Sequence, residues 1–375
     1  MGKRELVLIV AFIVVGAIVY QFTSAAPAPG SEGAGISAIW RGLERHIKGA
    51  RATATVNANK RVAASGIQEL RVNVSRFGDL TITGSDRNDL NADFHVTARG
   101  LDDAEARAAA AAVGLQIDRA GDALVVSTTL KSPIPGQVPS PQIALTLDVP
   151  RRLALRVGAH AGRLTIAQLA SADVEGSRGD TRVTAIAGAA TIDQASGTLT
   201  IDDCGSLHLK TRNGRGHVTA INATASITAS GGSIILSGIR GPLDIESRNA
   251  DVSLSDSPAL AGPLRVNATG GTVHVAGLRI DARIEARNAA VDVGVDSPAP
   301  ISIETTRGGI HVTPPAAGYT LDAVATDGRV TFEDGALTLA ATDAGQTAMG
   351  PVRGGGATLT LRASHADIEV RPHAK

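Results

Sequence analysis

Aromatic bulk and sulfur are what this chain most lacks. Its 375 residues include one Trp, two Tyr, five Phe and a single cysteine, Cys204. One thiol excludes an intrachain disulfide and reads as a small buried hydrophobe. A lipid-anchoring cysteine would directly follow the N-terminal apolar run, and none does. Charge of one sign is missing too: 36 basic residues balance 36 acidic ones. At the whole-chain level this removes the electrostatic footprint of a nucleic-acid binder. There is no Walker loop, no G-x-S-x-G and no H-E-x-x-H. The Gly-Gly-x-Gly-x-Asp rhythm of calcium-binding repeats is also absent. With few rings to fill space, a core must be built from Val, Ile, Leu and Ala, which suits a thin, repetitive interior. The hydrophobic content of 43% argues against disorder.

What is present begins with a membrane signal. Lys3 and Arg4 precede an apolar run from Leu6 to Phe22. The run is long for a signal peptide and slightly short for a spanning helix. An uncleaved signal anchor over residues 1–24 is the favoured reading, and cleavage within "TSAAPA" (23–28) is the alternative. The positive-inside rule then puts the N-terminus in the cytoplasm and the bulk of the chain outside it, in a single-pass arrangement in the cytoplasmic membrane. Residues 25–55 form a Pro/Gly/Ser linker and an amphipathic helix with Ile36, Ile39, Trp40, Leu43 and Ile47 at helical spacing. That helix either lies on the membrane surface or docks on the folded body.

The body is a repeat. "LDIESRNADVSL" (243–254), "LRVNATGGTVHV" (264–275), "RIEARNAAVDV" (283–293) and "ISIETTRGGIHV" (301–312) share one frame. Two apolar residues alternate with polar ones, a short turn follows, and the alternation resumes. Period-2 alternation is the strand signature. Starts recur about every 17–21 residues from 151 to 375. The expected fold is all-β: a parallel, right-handed β-solenoid, each strand about 4.8 Å from its equivalent in the next coil. Ile245, Val266, Ile284 and Ile303 should form an inward column, with Ile186, Ile221, Ile239 and Leu278 on a third side. The turns are assigned to residues that tolerate positive φ, among them Asn213, Asn249, Gly270, Asn288, Gly308 and Gly328. Residues 56–150 read as first coils plus an N-terminal cap. The cap holds a short Ala-rich helix, with Asp102 capping it, Glu105 three residues on and Gly114 stopping it.

"LDVPRRLALRVGAHAGRLTI", the recurrent "SRGDTRVTA", "ASGTLTI" and "SRNADVSL", and the closing "GGGATLTLRASHADIEV" resemble the bacterial putative-adhesin family, a domain of unknown function. The resemblance covers roughly residues 60–372 and lies in a structural rhythm. It implies an extracytoplasmic, often membrane-tethered β-solenoid without established catalytic residues.

Candidate chemistry is sparse. His274, Asp292 and His311 share an outward column on three successive coils, so neutral imidazoles flanking a carboxylate could hold a zinc-like ion. A solvated polar face is the simpler reading. A second outward column, Lys210, Thr228, Glu246, Asn267, Glu285 and Glu304, suits ion pairing between coils or a glycan- or cation-binding strip. Asp202 and Asp203 point to opposite strand faces unless they occupy a turn. No cofactor and no catalytic residue is implied. Partners expected are the membrane and an envelope protein or cell-surface glycan. The function expected is a non-enzymatic, adhesin-like interaction or scaffolding protein of the cell envelope. An accessory sensor of envelope stress and a β-helix glycan lyase or hydrolase are the alternatives.

Overall fold

A computed structural model of the chain describes residues 52–74, 78–130, 140–332, 337–342 and 344–371. The N-terminal strands are β1 (Ala52–Ala63), β2 (Glu69–Asn73), β3 (Gly78–Ser85), β4 (Asp89–Gly100), β5 (Val113–Ala120), β6 (Ala123–Leu130) and β7 (Gln142–Pro150). The one described helix, α1 (Asp103–Ala111), lies between β4 and β5. Next come β8 (Ala154–Val157), β9 (Leu164–Leu169), β10 (Ser171–Arg178), β11 (Thr181–Ile221) and β12 (Ala225–Ser237). The regular part holds β13 (Leu243–Arg248), β14 (Asp251–Ser255), β15 (Leu264–Thr269), β16 (Thr272–Leu278), β17 (Ala282–Arg287), β18 (Ala290–Val295), β19 (Ile301–Thr306) and β20 (Ile310–Thr313). The chain closes with β21 (Tyr319–Thr326), β22 (Val330–Phe332), β23 (Leu339–Thr342), β24 (Gly345–Val352), β25 (Thr358–Ser364) and β26 (Ile368–Val370).

The uniform parallel β-solenoid expected from the repeat is corrected. The described strands form one 26-stranded sheet of mixed sense. β24 runs antiparallel to both β21 and β23. Alternation dictates which side chains are buried but not the sense in which two strands pair, and the tight connection around Ala344 reverses the chain. Within this sheet, runs of parallel pairs persist. β13, β15, β17 and β19 pair in sequence, as do β14, β16, β18 and β20. Ile245, Val266, Ile284 and Ile303 are in register and at most 1% exposed. Each contributes roughly 1.5–3 kcal/mol by burial. Ile186, Ile221, Ile239 and Leu278 are buried as well.

The single-pass anchor and the membrane localisation built on it are corrected too. No helix among the described residues is long and apolar enough to cross a membrane. α1 has 9 residues, where a span needs about 20. The apolar run at 6–22 and the helix expected around Trp40 lie outside the described residues.

Two compact units partition the chain. One contains, among the described residues, 52–56, 96–113 and 140–141, and so holds α1. There Asp102 accepts from the Glu105 amide at 2.8 Å, and the Glu105 carboxylate accepts from the Leu101 amide at 2.7 Å. The cap forms as expected from the sequence, with the return bond one residue earlier than a capping box has it. Gly114 is not the stop: α1 ends at Ala111, and Gly114 already belongs to β5. The other unit contains the remaining described residues, including every element from β6 onward. In it β2 lies between β6 and β8, and β3 between β7 and β9, so neighbours in space are not neighbours in the chain.

Corners repeat in a fixed place. Asn213, Asn249 and Asn288 have φ of 52°, 51° and 53°, and Gly231 and Gly270 take the same position at 76° and 74°. In the later strands the left-handed residue is Arg307 (φ 58°) and Asp327 (φ 53°), not the adjacent Gly308 and Gly328 assigned from sequence. Those glycines answer a different constraint. A Cβ on Gly308 would lie 1.9 Å from the Ala289 carbonyl oxygen, and one on Gly328 2.0 Å from that of Ala366. Corner amides are then satisfied by the neighbouring strand: Asn249 N donates to Thr269 O at 2.7 Å, Asn288 N to Thr306 O at 2.8 Å and Arg307 N to Ser364 O at 2.8 Å.

Candidate functional site

Alternation along β14, β16, β18 and β20 buries Val252, Val273, Val291 and Ile310 and turns every second residue outward. His274 is in register with Asp292, and Asp292 with His311. The outward column inferred from sequence therefore exists. His274 Nδ1 lies 3.2 Å from Asp292 Oδ2, both side chains about half exposed. His311 pairs away from them: its Nδ1 lies 2.8 Å from Glu369 Oε2. Glu369 stands in β26, which pairs with β20 and sets Glu369 beside His311. Arg371's hydrogen bond, with a further contribution from His311, holds the Glu369 carboxyl below its ordinary range.

The column thus alternates imidazole and carboxylate as two pairs. His274 and His311 stand two strands apart, and their imidazoles engage different carboxylates, Asp292 and Glu369. Among the described residues no group of three or more His, Cys, Asp or Glu side chains could hold a metal ion. Glu369 was missed in the sequence because β26 is far along the chain from β20. The signal was there: "ADIEV" carries the same outward position as "GIHV".

The second outward column runs in register through Lys210, Thr228, Glu246, Asn267, Glu285, Glu304 and Arg362. Arg283 Nε donates to Glu285 Oε1 at 2.6 Å within one strand. Arg362 turns to Asp322 at 2.5 Å. Between the column and the corner is a shallow depression of about 260 Å³, lined by Asn267, Thr269, Glu285, Arg287, Glu304 and Thr306. Carboxylates there accept hydrogen bonds, and the guanidinium, amide and hydroxyls donate them.

A larger depression of about 720 Å³ lies against Gln68, Glu69, Asp122 and Arg152. The Arg152 guanidinium donates to the carbonyls of Ile67 (3.3 Å) and Ala64 (2.9 Å), so it braces the wall. Arg71, 2.6 Å away, holds the Glu69 carboxyl below its usual range by hydrogen bonding.

The remaining sequence candidates are structural. Asp203 does occupy a turn, at φ 57°, and accepts from Asn222 Nδ2 at 3.1 Å. Asp202 accepts from Thr219 Oγ1 at 2.8 Å. Cys204 is buried, and burial pushes its thiol up to about 11. A node the sequence did not suggest is Gln194, fully buried. Its Nε2 donates to the carbonyls of Gly179 (2.7 Å) and Ser196 (2.8 Å), while its Oε1 accepts from Thr181 (2.8 Å) and Ser177. A buried amide satisfied in this way fixes the fold locally.

No protein-family model matches the chain. No curated protein matches it either. Among solved structures it is similar to a putative cell adhesion protein from Clostridium sporogenes, at 11% identity and TM-score 0.21, over 85% of this chain and 100% of that one. It is also similar to a putative adhesin from Parabacteroides distasonis, at 10% identity and TM-score 0.29, over 84% and 97% of the two chains. A putative lipid binding protein from the same species gives 12% identity and TM-score 0.31, over 69% and 96%. At these TM-scores the likeness transfers neither a fold nor an activity to this chain.

Proposed function

We propose that the chain is a non-enzymatic, adhesin-like interaction protein that binds through its outward polar columns. The observation carrying this reading is the register. Glu246, Asn267, Glu285 and Glu304 fall in line on successive strands, beside a depression that offers donors and acceptors together. Such a face suits a partner that touches several strands at once, each contact weak and the sum strong. A cell-surface glycan or the extended surface of another envelope protein has that form. Exposed ion pairs contribute little to stability, so these side chains are free to serve recognition at small cost.

The test is an array of polysaccharides and surface proteins probed with the full chain and with Glu285→Arg/Glu304→Arg. Reversing two charges in one column should cut retention at least tenfold on whichever surface binds. Unchanged retention sinks the reading, and release of new reducing ends from any polysaccharide replaces it with an enzyme.

A further inference from the structure

The chain's end departs from the order kept before it. β19 and β20 are followed in the chain by β21 and β22, yet in space they are followed by β25 and β26. β21 pairs with the far side of β25, and β22 with the far side of β26. Between Thr313 and Tyr319 the chain therefore skips one strand position, which its own C-terminal segment later fills.

Strands β21, β24 and β25 are bound together locally. β21 has β24 on one side and β25 on the other. The loop joining those two passes over the start of β21 in direct backbone contact. A Cβ on Gly318 would lie 2.5 Å from the carbonyl oxygens of both Arg353 and Gly355, and one on Gly356 would lie 2.5 Å from that of Gly318. Thr320 N donates to Ala357 O at 3.0 Å, and Arg353 Nη1 donates to Pro315 O at 3.2 Å and Ala316 O at 3.1 Å. β24, β21 and β25 are thus held as one unit. Its pairing with the preceding strands runs through β25 on β19, Ile301–Thr306 against Leu359–Ser364, and β26 on β20. The only covalent connection to them is Pro314–Gly318.

We propose that residues 319–370 are an exchangeable terminal unit, able to dock on β19 and β20 of its own chain or of a second copy, with Pro314–Gly318 as the hinge. The occupant is specified by the register: the surface that β19 and β20 present is complementary to β25 and β26, and a second copy supplies the same strands unaltered. Reciprocal exchange closes as a two-fold dimer with no new contact type outside the hinge. Adjacent prolines favour an extended hinge, which suits the exchanged form. The dimer would carry two copies of every outward column, giving bivalent attachment. The inference does not depend on what those columns bind.

The test uses the full chain carrying Ser302→Cys and Thr360→Cys. These positions are in-register partners on β19 and β25. Their separation of about 4.8 Å suits a disulfide. Refolding from denaturant across a range of concentrations, followed by oxidation and non-reducing electrophoresis, should give internally linked monomer at low concentration. Covalent dimer should appear in proportion to chain concentration. A chain lacking Ala316 and Ala317, its hinge too short to skip a strand position, should be dimeric by native mass spectrometry at every concentration. Internally linked monomer throughout, or a folded monomer of the shortened chain, overturns the proposal.

Discussion

The strands from 243 to 313 and those from 319 to 370 use the same alternation to different ends. In the first stretch each strand pairs with its equivalent one repeat on, and chain order is spatial order. In the second, a hairpin intervenes, the sense of pairing reverses and the last segment returns to sit inside. The inward residues are alike in both: Ile303 and Leu361 are fully buried neighbours in register. The difference lies in the connections. A corner such as Thr306–Gly308 carries the chain directly into β20, whereas Pro314–Gly318 carries it past a strand position. Burial pattern and topology are separable properties of this sequence.

That comparison can be broken at its common element first. Ile284→Asp places a carboxylate at a fully buried position and should cost more than about 4 kcal/mol, enough to abolish a cooperative urea transition. Its neighbour Glu285→Ala should stay within about 0.5 kcal/mol. Equal losses would overturn the register of the first stretch.

The next effect separates the two stretches. Gly318→Ala drives a methyl group into two backbone carbonyls and should cost about 2–3 kcal/mol. Hydrogen exchange should then quicken across 319–370 while β13 to β18 keep their protection. Uniform quickening would mean that the two stretches open as one.

A pH titration sharpens the comparison by giving it a reference outside both. His160 is 4% exposed. Burial holds its imidazole below the ordinary range, against smaller opposing effects from the backbone of Arg163 and Gly78 and the charge of Asp79. The folded state then binds the proton less tightly than the unfolded chain. Its contribution to stability is full above the unfolded value of about 6.5 and is lost as pH falls from there through the lowered folded value. His160→Gln should flatten the denaturation midpoint against pH in that window. An unchanged slope would assign the effect to other groups.

The smallest effect concerns the corners. Arg307 pays for a left-handed backbone that Asn288 adopts more readily. Arg307→Gly should stabilise by about 0.5 kcal/mol, since relief of about 1 kcal/mol is partly offset by glycine's chain entropy. Asn288→Gly should be near neutral. A destabilised Arg307→Gly in urea denaturation would show that the arginine side chain contributes more than its backbone costs.

Much of this was legible in the residues. Ile284, Ala286, Val291 and Val293 are buried and Glu285 and Asp292 exposed, as two-residue periodicity requires. Asn288 turns the corner in the left-handed region, as its short amide side chain allows. Two things were not legible. Arg307 takes a left-handed conformation that its side chain disfavours, and the glycine after it, Gly308, is taken up by close backbone approach to Ala289. Glu369 faces His311 because a strand distant in sequence fills the neighbouring position.

By itself the sequence determined which side chains leave water, where the chain bends and which residues stand outward in line. Each of these follows from interactions among neighbours in the chain: alternation on a pleated strand, and the backbone freedom of Gly and Asn. Only the tertiary structure decided strand order, the reversal at β24 and the splitting of the histidine column into His274–Asp292 and His311–Glu369. Those depend on which of several equally patterned strands meet, and segments that share one apolar rhythm are nearly interchangeable until the connections between them are drawn.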